Sequence, residues 1–183
     1  PAVLCIVVLV FGVKETTLKK NISSKKSYFL FKNFSKITPV IWLFFLTVFI
    51  LNLGHFSEAF LLLRSQEIGL KVSFIPIVFV VMNVAYAIVA VPFGHLADKI
   101  GFFIPIVCGF LILVLSNIIL ALTNGIEWMF AGIIFWGIHL GMTQGLLLAI
   151  VAQLSPLELR GTSFGLLHAI TGAALFVASL IAG

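Results

Sequence analysis

Five stretches of this chain, each twenty residues or longer, carry no Asp, Glu, Lys or Arg: 37–57, 72–97, 100–126, 128–157 and 161–183. A helix needs about 20 apolar residues to cross the ~30 Å hydrocarbon core of a bilayer. In that core every backbone N–H and C=O has to be satisfied within the protein, which leaves helices and closed barrels as the available folds. The roughly ten-residue alternation of barrel strands is absent, and the runs are apolar nearly all round, as lipid-embedded helices are. The expected fold class is therefore all-α integral membrane, a transmembrane helix bundle. Its helices are expected at about 37–63, 73–93, 102–122, 128–152 and 162–183. Pro39 sits in the first opening turn, the second helix ends near Pro92, and the Thr123-Asn124-Gly125 turn closes the third. Composition agrees: 9% of residues are charged and 62% are hydrophobic, against roughly 25% charged in a soluble domain.

The net charge of +5 is concentrated in one place. Lys14, Lys19, Lys20, Lys25, Lys26, Lys32 and Lys36 face a single acid, Glu15, within 14–36. A basic loop next to a membrane reads as cytoplasmic and attracted to anionic headgroups rather than as a nucleic-acid site. With that loop inside, Lys99 and Arg160 fall on the same side and only Arg64 and Lys71 on the other, nine basic residues against two. This bias sets the expected orientation, in a cell membrane of the bacterial inner type. Residues 1–13 read as the end of a preceding transmembrane helix, 14–36 as a basic cytoplasmic loop, and 37–183 as a transmembrane bundle. The first residue is Pro1, the first apolar stretch is short, and Gly183 falls within an apolar run, so both ends are expected to be cut. Cys5 and Cys108 read as small core hydrophobes, with neither metal-ligand nor disulfide spacing. No nucleophile–base set, metal cluster or phosphate loop is visible, so neither an enzyme nor a cofactor is expected, and no metal.

Two loops carry a signature. Gly94-His95-Leu96-Ala97-Asp98-Lys99-Ile100-Gly101 places an acid and a base at the membrane surface between glycines. It resembles the G-x-x-x-D-(R/K)-x-G-(R/K)-(R/K) loop of the major facilitator superfamily at Gly94, Asp98, Lys99 and Gly101. Phe102 and Phe103 replace the final two basic positions. Ser155-Pro156-Leu157-Glu158-Leu159-Arg160-Gly161 is similar to the P-x-x-x-R-G turn that these transporters place two spans later. The resemblance implies an incomplete C-terminal six-helix half of a 12-span fold, running from the end of span six to span eleven. The loop 14–36 would then link the halves. It also implies a secondary transporter of a small solute working by alternating access, whose partners are the lipid bilayer, a small-molecule solute and the missing N-terminal half. Glu58 and the histidines would make it proton-coupled. The alternatives are a transport-inactive fragment of a split gene, or a non-transporter polytopic membrane protein such as a receptor or sensor. In the resembled architecture Asp98 and Arg160 can pair across the two loops, joined by Lys99 and Glu158, and so gate the cytoplasmic side.

Ionisable and polar groups inside a bilayer face a cavity or a partner. Glu58 lies one turn beyond His55 and near the face of Asn52. It is either a proton-carrying group or a structural partner of His55 or Arg64. His139 has Thr143 one turn on and Gln144 beside it, and is either a solute or proton contact or a bond to a neighbouring helix. Asn83 with Tyr86, and His168 with Thr171, are further candidates for the substrate or proton pathway. Ser116 and Asn117 read as structural. Gly137, Gly141 and Gly145 recur every four residues, as do Gly161 and Gly165. Such rows let helices approach closely in lipid, either as ordinary packing or as a sliding surface.

Overall fold

A computed structural model of the chain describes residues 39–122 and 124–182. The expected end of a preceding helix (1–13) and the basic loop (14–36) lie outside the described residues. The elements are α1 (Pro39–Asn52), α2 (Glu58–Glu67), α3 (Ile75–Ile100), α4 (Phe103–Leu122), α5 (Ile126–Leu154) and α6 (Arg160–Ala182). Short 3₁₀ turns at Val72–Phe74 and Leu157–Leu159 lead into α3 and α6. The segments Val72–Ile100, Phe103–Leu122, Ile126–Leu154 and Leu157–Ile181 are each long and apolar enough to cross a membrane.

The stretch expected as one helix over 37–63 is two helices. α1 ends at Asn52, where the ladder tightens into i→i−3 bonds: Leu53 N–H to Ile50 O at 3.2 Å and His55 N–H to Asn52 O at 3.0 Å. Asn52 Nδ2 donates to Val48 O at 2.8 Å, competing for the carbonyl that the helix ladder would use. Ser57 caps α2, its Oγ accepting from Ala59 N–H at 3.3 Å, which places Glu58 in the first turn where the helix dipole favours an anion. Polar side chains from elsewhere satisfy the interrupted backbone. Asn117 Nδ2 of α4 donates to Gly54 O at 3.1 Å, and Ser57 N–H donates to Ser179 Oγ of α6 at 3.3 Å. Irregular backbone is tolerated at membrane depth on that condition.

α3 also departs from expectation. It continues through Pro92 to Ile100, so the glycine-bracketed signature lies on its last turns. Proline removes one N–H and crowds the preceding turn, which kinks a helix without always ending it. The chain leaves α3 at Gly101, whose φ of 88° suits glycine, and whose N–H bonds Ala97 O at 2.9 Å.

α5 is the centre of the bundle. Over half of its most apolar window (56%) is buried, against 17% for α3 and for α6, so the latter two present most of their surface to lipid or to further protein. α5 packs most extensively on α3 and α4, and α1 packs on α6. Met129, Ile133 and Trp136 form its buried stripe at i, i+4 and i+7. Val80, Val84, Ile88 and Val91 form the opposite pattern on α3, an exposed aliphatic row. Cys108 is exposed on α4 rather than in the core.

Close helix approach is concentrated at a few glycines. A Cβ at Gly137 would overlap the Met82 carbonyl and stand 2.9 Å from Ala85 Cβ; at Gly141 it would stand 2.7 Å from the Tyr86 carbonyl oxygen. Both therefore pack directly against the α3 backbone. Gly145, Gly161 and Gly165 meet open space, so the expected rows are tight only in part. Gly109 and Gly132, which the four-residue rows did not include, set the α4–α5 contact, where a Cβ would stand 2.6 Å from Thr143 Cγ2 and 2.7 Å from Leu120 Cγ. Ser116 Oγ ties the same pair of helices by donating to Gly132 O at 2.7 Å.

Candidate functional site

The break between α1 and α2, the middle of α5 and the middle of α6 meet at a cavity of about 370 Å³. Asn52 ends α1 beside it, and His55 reaches it from the irregular segment. α5 contributes His139, Thr143 and Gln144, and α6 contributes His168 and Thr171. Phe110 and several leucines complete the lining. Seven residues expected on a substrate or proton path, spread over 120 positions of sequence from Asn52 to Thr171, thus line one space. Among its described lining residues none is Asp, Glu, Lys or Arg.

His139 is the most buried polar group there, 2% exposed. Its Nδ1 lies 2.9 Å from Gly109 O on α4. A carbonyl only accepts, so Nδ1 carries a proton, and in the neutral form of the ring the lone pair is on Nε2. The ring is also held edge-on to Phe110 at a centroid distance of 5.1 Å and lies 5.6 Å from the ring of His55. His55 in turn stacks on Trp136 at 5.0 Å. His55 Nε2 and Trp136 Nε1 are buried with no hydrogen-bond partner among the described residues. The hydroxyls of Thr143 and Thr171 donate back to their own helices, to His139 O at 2.8 Å and to Leu167 O at 3.0 Å. With their hydrogens so engaged, these hydroxyl oxygens are left as acceptors. Trp136 and Phe110 fix the two imidazoles; both are unremarkable apolar positions in sequence, legible only as members of α5 and α4.

The other expected path residues lie elsewhere. Glu58 is half-buried at the start of α2 and outside the cavity lining. Arg64, one of its expected partners, instead pairs with Glu67 at 3.0 Å and donates from Nε to Leu120 O at 3.1 Å. Asn83 is exposed, and its Nδ2 bonds Phe79 O on its own helix at 2.8 Å. Tyr86 lines a separate cleft of about 250 Å³ between α3 and α5, with Gly94, Asp98, Gly141 and Gly145.

Asp98, Lys99, Glu158 and Arg160 are all exposed. Among the described residues the expected Asp98–Arg160 pair is not formed in this conformation; the ion pair present is Arg64–Glu67. Asp98 sits near the C-terminus of α3 and Arg160 begins α6, so each charge opposes the dipole of its own helix. Gly161 adjoins Arg160 in the first turn of α6, with Gly101 closing α3.

The sequence profile of the Major Facilitator Superfamily matches residues 1–183. An uncharacterized MFS-type transporter of Methanocaldococcus jannaschii is 32% identical over 147 residues, which cover 77% of this chain and 37% of that protein. The chain thus matches just over a third of the length of this curated relative.

Proposed function

Because this chain belongs to the Major Facilitator Superfamily, we propose that it serves as the second half of a secondary transporter, moving a small solute by alternating access with proton coupling. It is an integral membrane protein, with four spans apolar enough to cross a bilayer among the described residues. The observation that carries the proposal is the cavity of Asn52, His55, His139, Thr143, Gln144, His168 and Thr171. Polar side chains inside a membrane mark a solute or ion path. Transporter sites of this kind lie near the midplane beside discontinuous helices, and the α1–α2 break supplies such a discontinuity.

In this reading the cavity is completed by an N-terminal half, and transport is a property of the two together. Solute enters beside Gln144 and His168, the exposed polar members of the lining. The imidazoles of His55, His139 and His168 hold the coupling proton, and Glu58, three residues beyond His55, passes it to the aqueous side. Asp98, Lys99, Glu158 and Arg160 lie on the cytoplasmic face with the basic loop 14–36. There Asp98 and Arg160 pair in one conformation and separate in the other, biasing a small free-energy gap. Gly137 and Gly141 give α5 and α3 the close contact on which such rocking turns. The membrane is a cell membrane of the bacterial inner type, and no catalytic group or cofactor is assigned.

The test is solute flux by the full-length protein in proteoliposomes under an imposed pH gradient. Uptake that follows the gradient and falls at least tenfold in His139→Gln supports the reading. Gradient-driven uptake unchanged in both His139→Gln and Glu58→Gln overturns proton coupling through these groups.

A further inference from the structure

Resting on that transporter reading, we infer that the cavity takes a small amphipathic weak acid, one acidic head on an apolar body, and holds it as an anion together with one proton on His139 Nε2. Three features of the lining lead there. The first is the fixed tautomer of His139. Its Nδ1–H is engaged by Gly109 O at 2.9 Å, so Nε2 is the ring's only free basic site. Taking up a proton there leaves the Nδ1 bond intact and requires no rotation of the ring.

The second feature is the polarity of the neighbouring groups. Thr143 Oγ–H, Thr171 Oγ–H and one Asn52 N–H are already donated to backbone carbonyls at 2.8, 3.0 and 2.8 Å. The two hydroxyl oxygens are left as acceptors for a solute that arrives carrying a hydrogen, while the Gln144 amide and the second Asn52 N–H remain as donors to the carboxylate it becomes. A protonated acid supplies that hydrogen. The acid O–H bond breaks as the proton moves to Nε2, leaving a carboxylate against an imidazolium with zero net charge. On release the proton returns to the departing carboxylate or to water. A permanently cationic solute would meet no carboxylate in the described lining and would be repelled by any imidazolium.

The third feature is the apolar part of the lining, Leu140, Leu147, Leu148, Leu167 and Leu175, which lie on α5 and α6 among the polar groups. An apolar body buries against these side chains. A polyol would place hydroxyls on the same surface with nothing to bond, which is unfavourable for each of them. The titratable groups that share this cavity with His139 are His55, at 5.6 Å between ring centroids, and His168 on α6. α3, on another face of α5, brings Tyr86 and Asp98 to the separate cleft. α4 brings Gly109 and Phe110, and neither ionises.

The experiment is equilibrium binding of radiolabelled benzoate to the full-length protein in detergent between about pH 7 and pH 9, where benzoate itself stays ionised. One-proton linkage predicts that the apparent Kd rises with pH, by up to about tenfold per pH unit over the range in which the bound imidazole stays protonated. His139→Gln is expected to flatten that dependence. Gln144→Glu, at an exposed lining position that does not threaten folding, is expected to weaken binding at least tenfold by adding a fixed negative charge. Excess mannitol or tetraethylammonium should leave benzoate bound. Binding that is absent or independent of pH overturns the inference, as does displacement by mannitol or tetraethylammonium. Flux of mannitol without benzoate binding would overturn the substrate class and leave the transporter reading standing. Proton-linked benzoate binding with no flux of any solute would do the reverse.

Discussion

Gly137 and Gly145 lie two turns apart on the same face of α5, yet the structure assigns them opposite responses to one added methyl group. At Gly137 the new Cβ would overlap the Met82 carbonyl, a backbone atom, and press on Ala85 Cβ at 2.9 Å. Backbone does not rotate out of the way, so α3 and α5 must separate locally. Overpacking of this kind costs about 1–3 kcal/mol. Separation also loosens the contact flanking Met82 and Trp136, which are 3% and 0% exposed. At Gly145 nothing lies within 4 Å of the added Cβ, and alanine is favoured over glycine in a helix by up to about 1 kcal/mol. That helix-propensity gain is common to both variants and cancels, so Gly137→Ala should unfold more readily than Gly145→Ala by the overpacking cost alone, about 1–3 kcal/mol. In a two-state titration this is about 5- to 150-fold in the unfolding constant. The assay is reversible denaturation of the full-length protein in mixed micelles, followed by helix ellipticity, with Gly141→Ala expected to behave like Gly137→Ala. Equal stability of the Gly137 and Gly145 variants would refute the claim that the α3–α5 interface is set by direct backbone approach.

Other predictions follow from single contacts. Asn117→Leu removes the donor to Gly54 O at 3.1 Å and leaves a carbonyl of the helix break unsatisfied. It should destabilise by about 1–3 kcal/mol, with faster hydrogen exchange confined to residues near 53–57 as the local readout. Ser57→Ala should cost about 1 kcal/mol through loss of the α2 cap, measured in the same denaturation assay. Asp98→Asn relieves a charge that opposes the dipole of α3, so it should leave stability unchanged or raise it by about 0.3–1 kcal/mol while transport falls. Uptake equal to wild type in that variant would remove Asp98 from the gating role.

The spanning helices were legible because an uninterrupted run without charge leaves a chain few options in lipid. Individual polar groups of the cavity were legible for a related reason, though Glu58, Asn83 and Tyr86, singled out in the same way, lie outside it. Asn52, His55, His139, Thr143, Gln144, His168 and Thr171 stand out as polar groups within apolar runs, and helical spacing puts those of each helix near one face. The break at 53–57 was not, since hydropathy is continuous through Leu53, Phe56 and Phe60. The segment opens because Asn117 and Ser179, from helices far away in sequence, meet its backbone. Pro92 illustrates the converse, a local helix-breaking signal overridden by a helix that continues to Ile100. The glycine rows show the limit of periodicity. Gly141 and Gly145 are equivalent in pattern, yet only the former meets the α3 backbone. Gly109 and Gly132 follow no row and owe their role to Thr143 and Leu120 across the interface.

Alternating access requires the space between α1, α5 and α6 to open in turn to the two sides of the membrane. Gln144 is exposed and lines that space. A single cysteine at that position, in full-length protein whose other cysteines, Cys5 and Cys108 among them, are replaced by serine, can be probed with a membrane-impermeant thiol reagent. Gln144→Cys should react when the reagent is applied from either side, and transported solute should shift the balance of the two rates. Labelling from one side alone, at a rate indifferent to solute, would contradict alternating access.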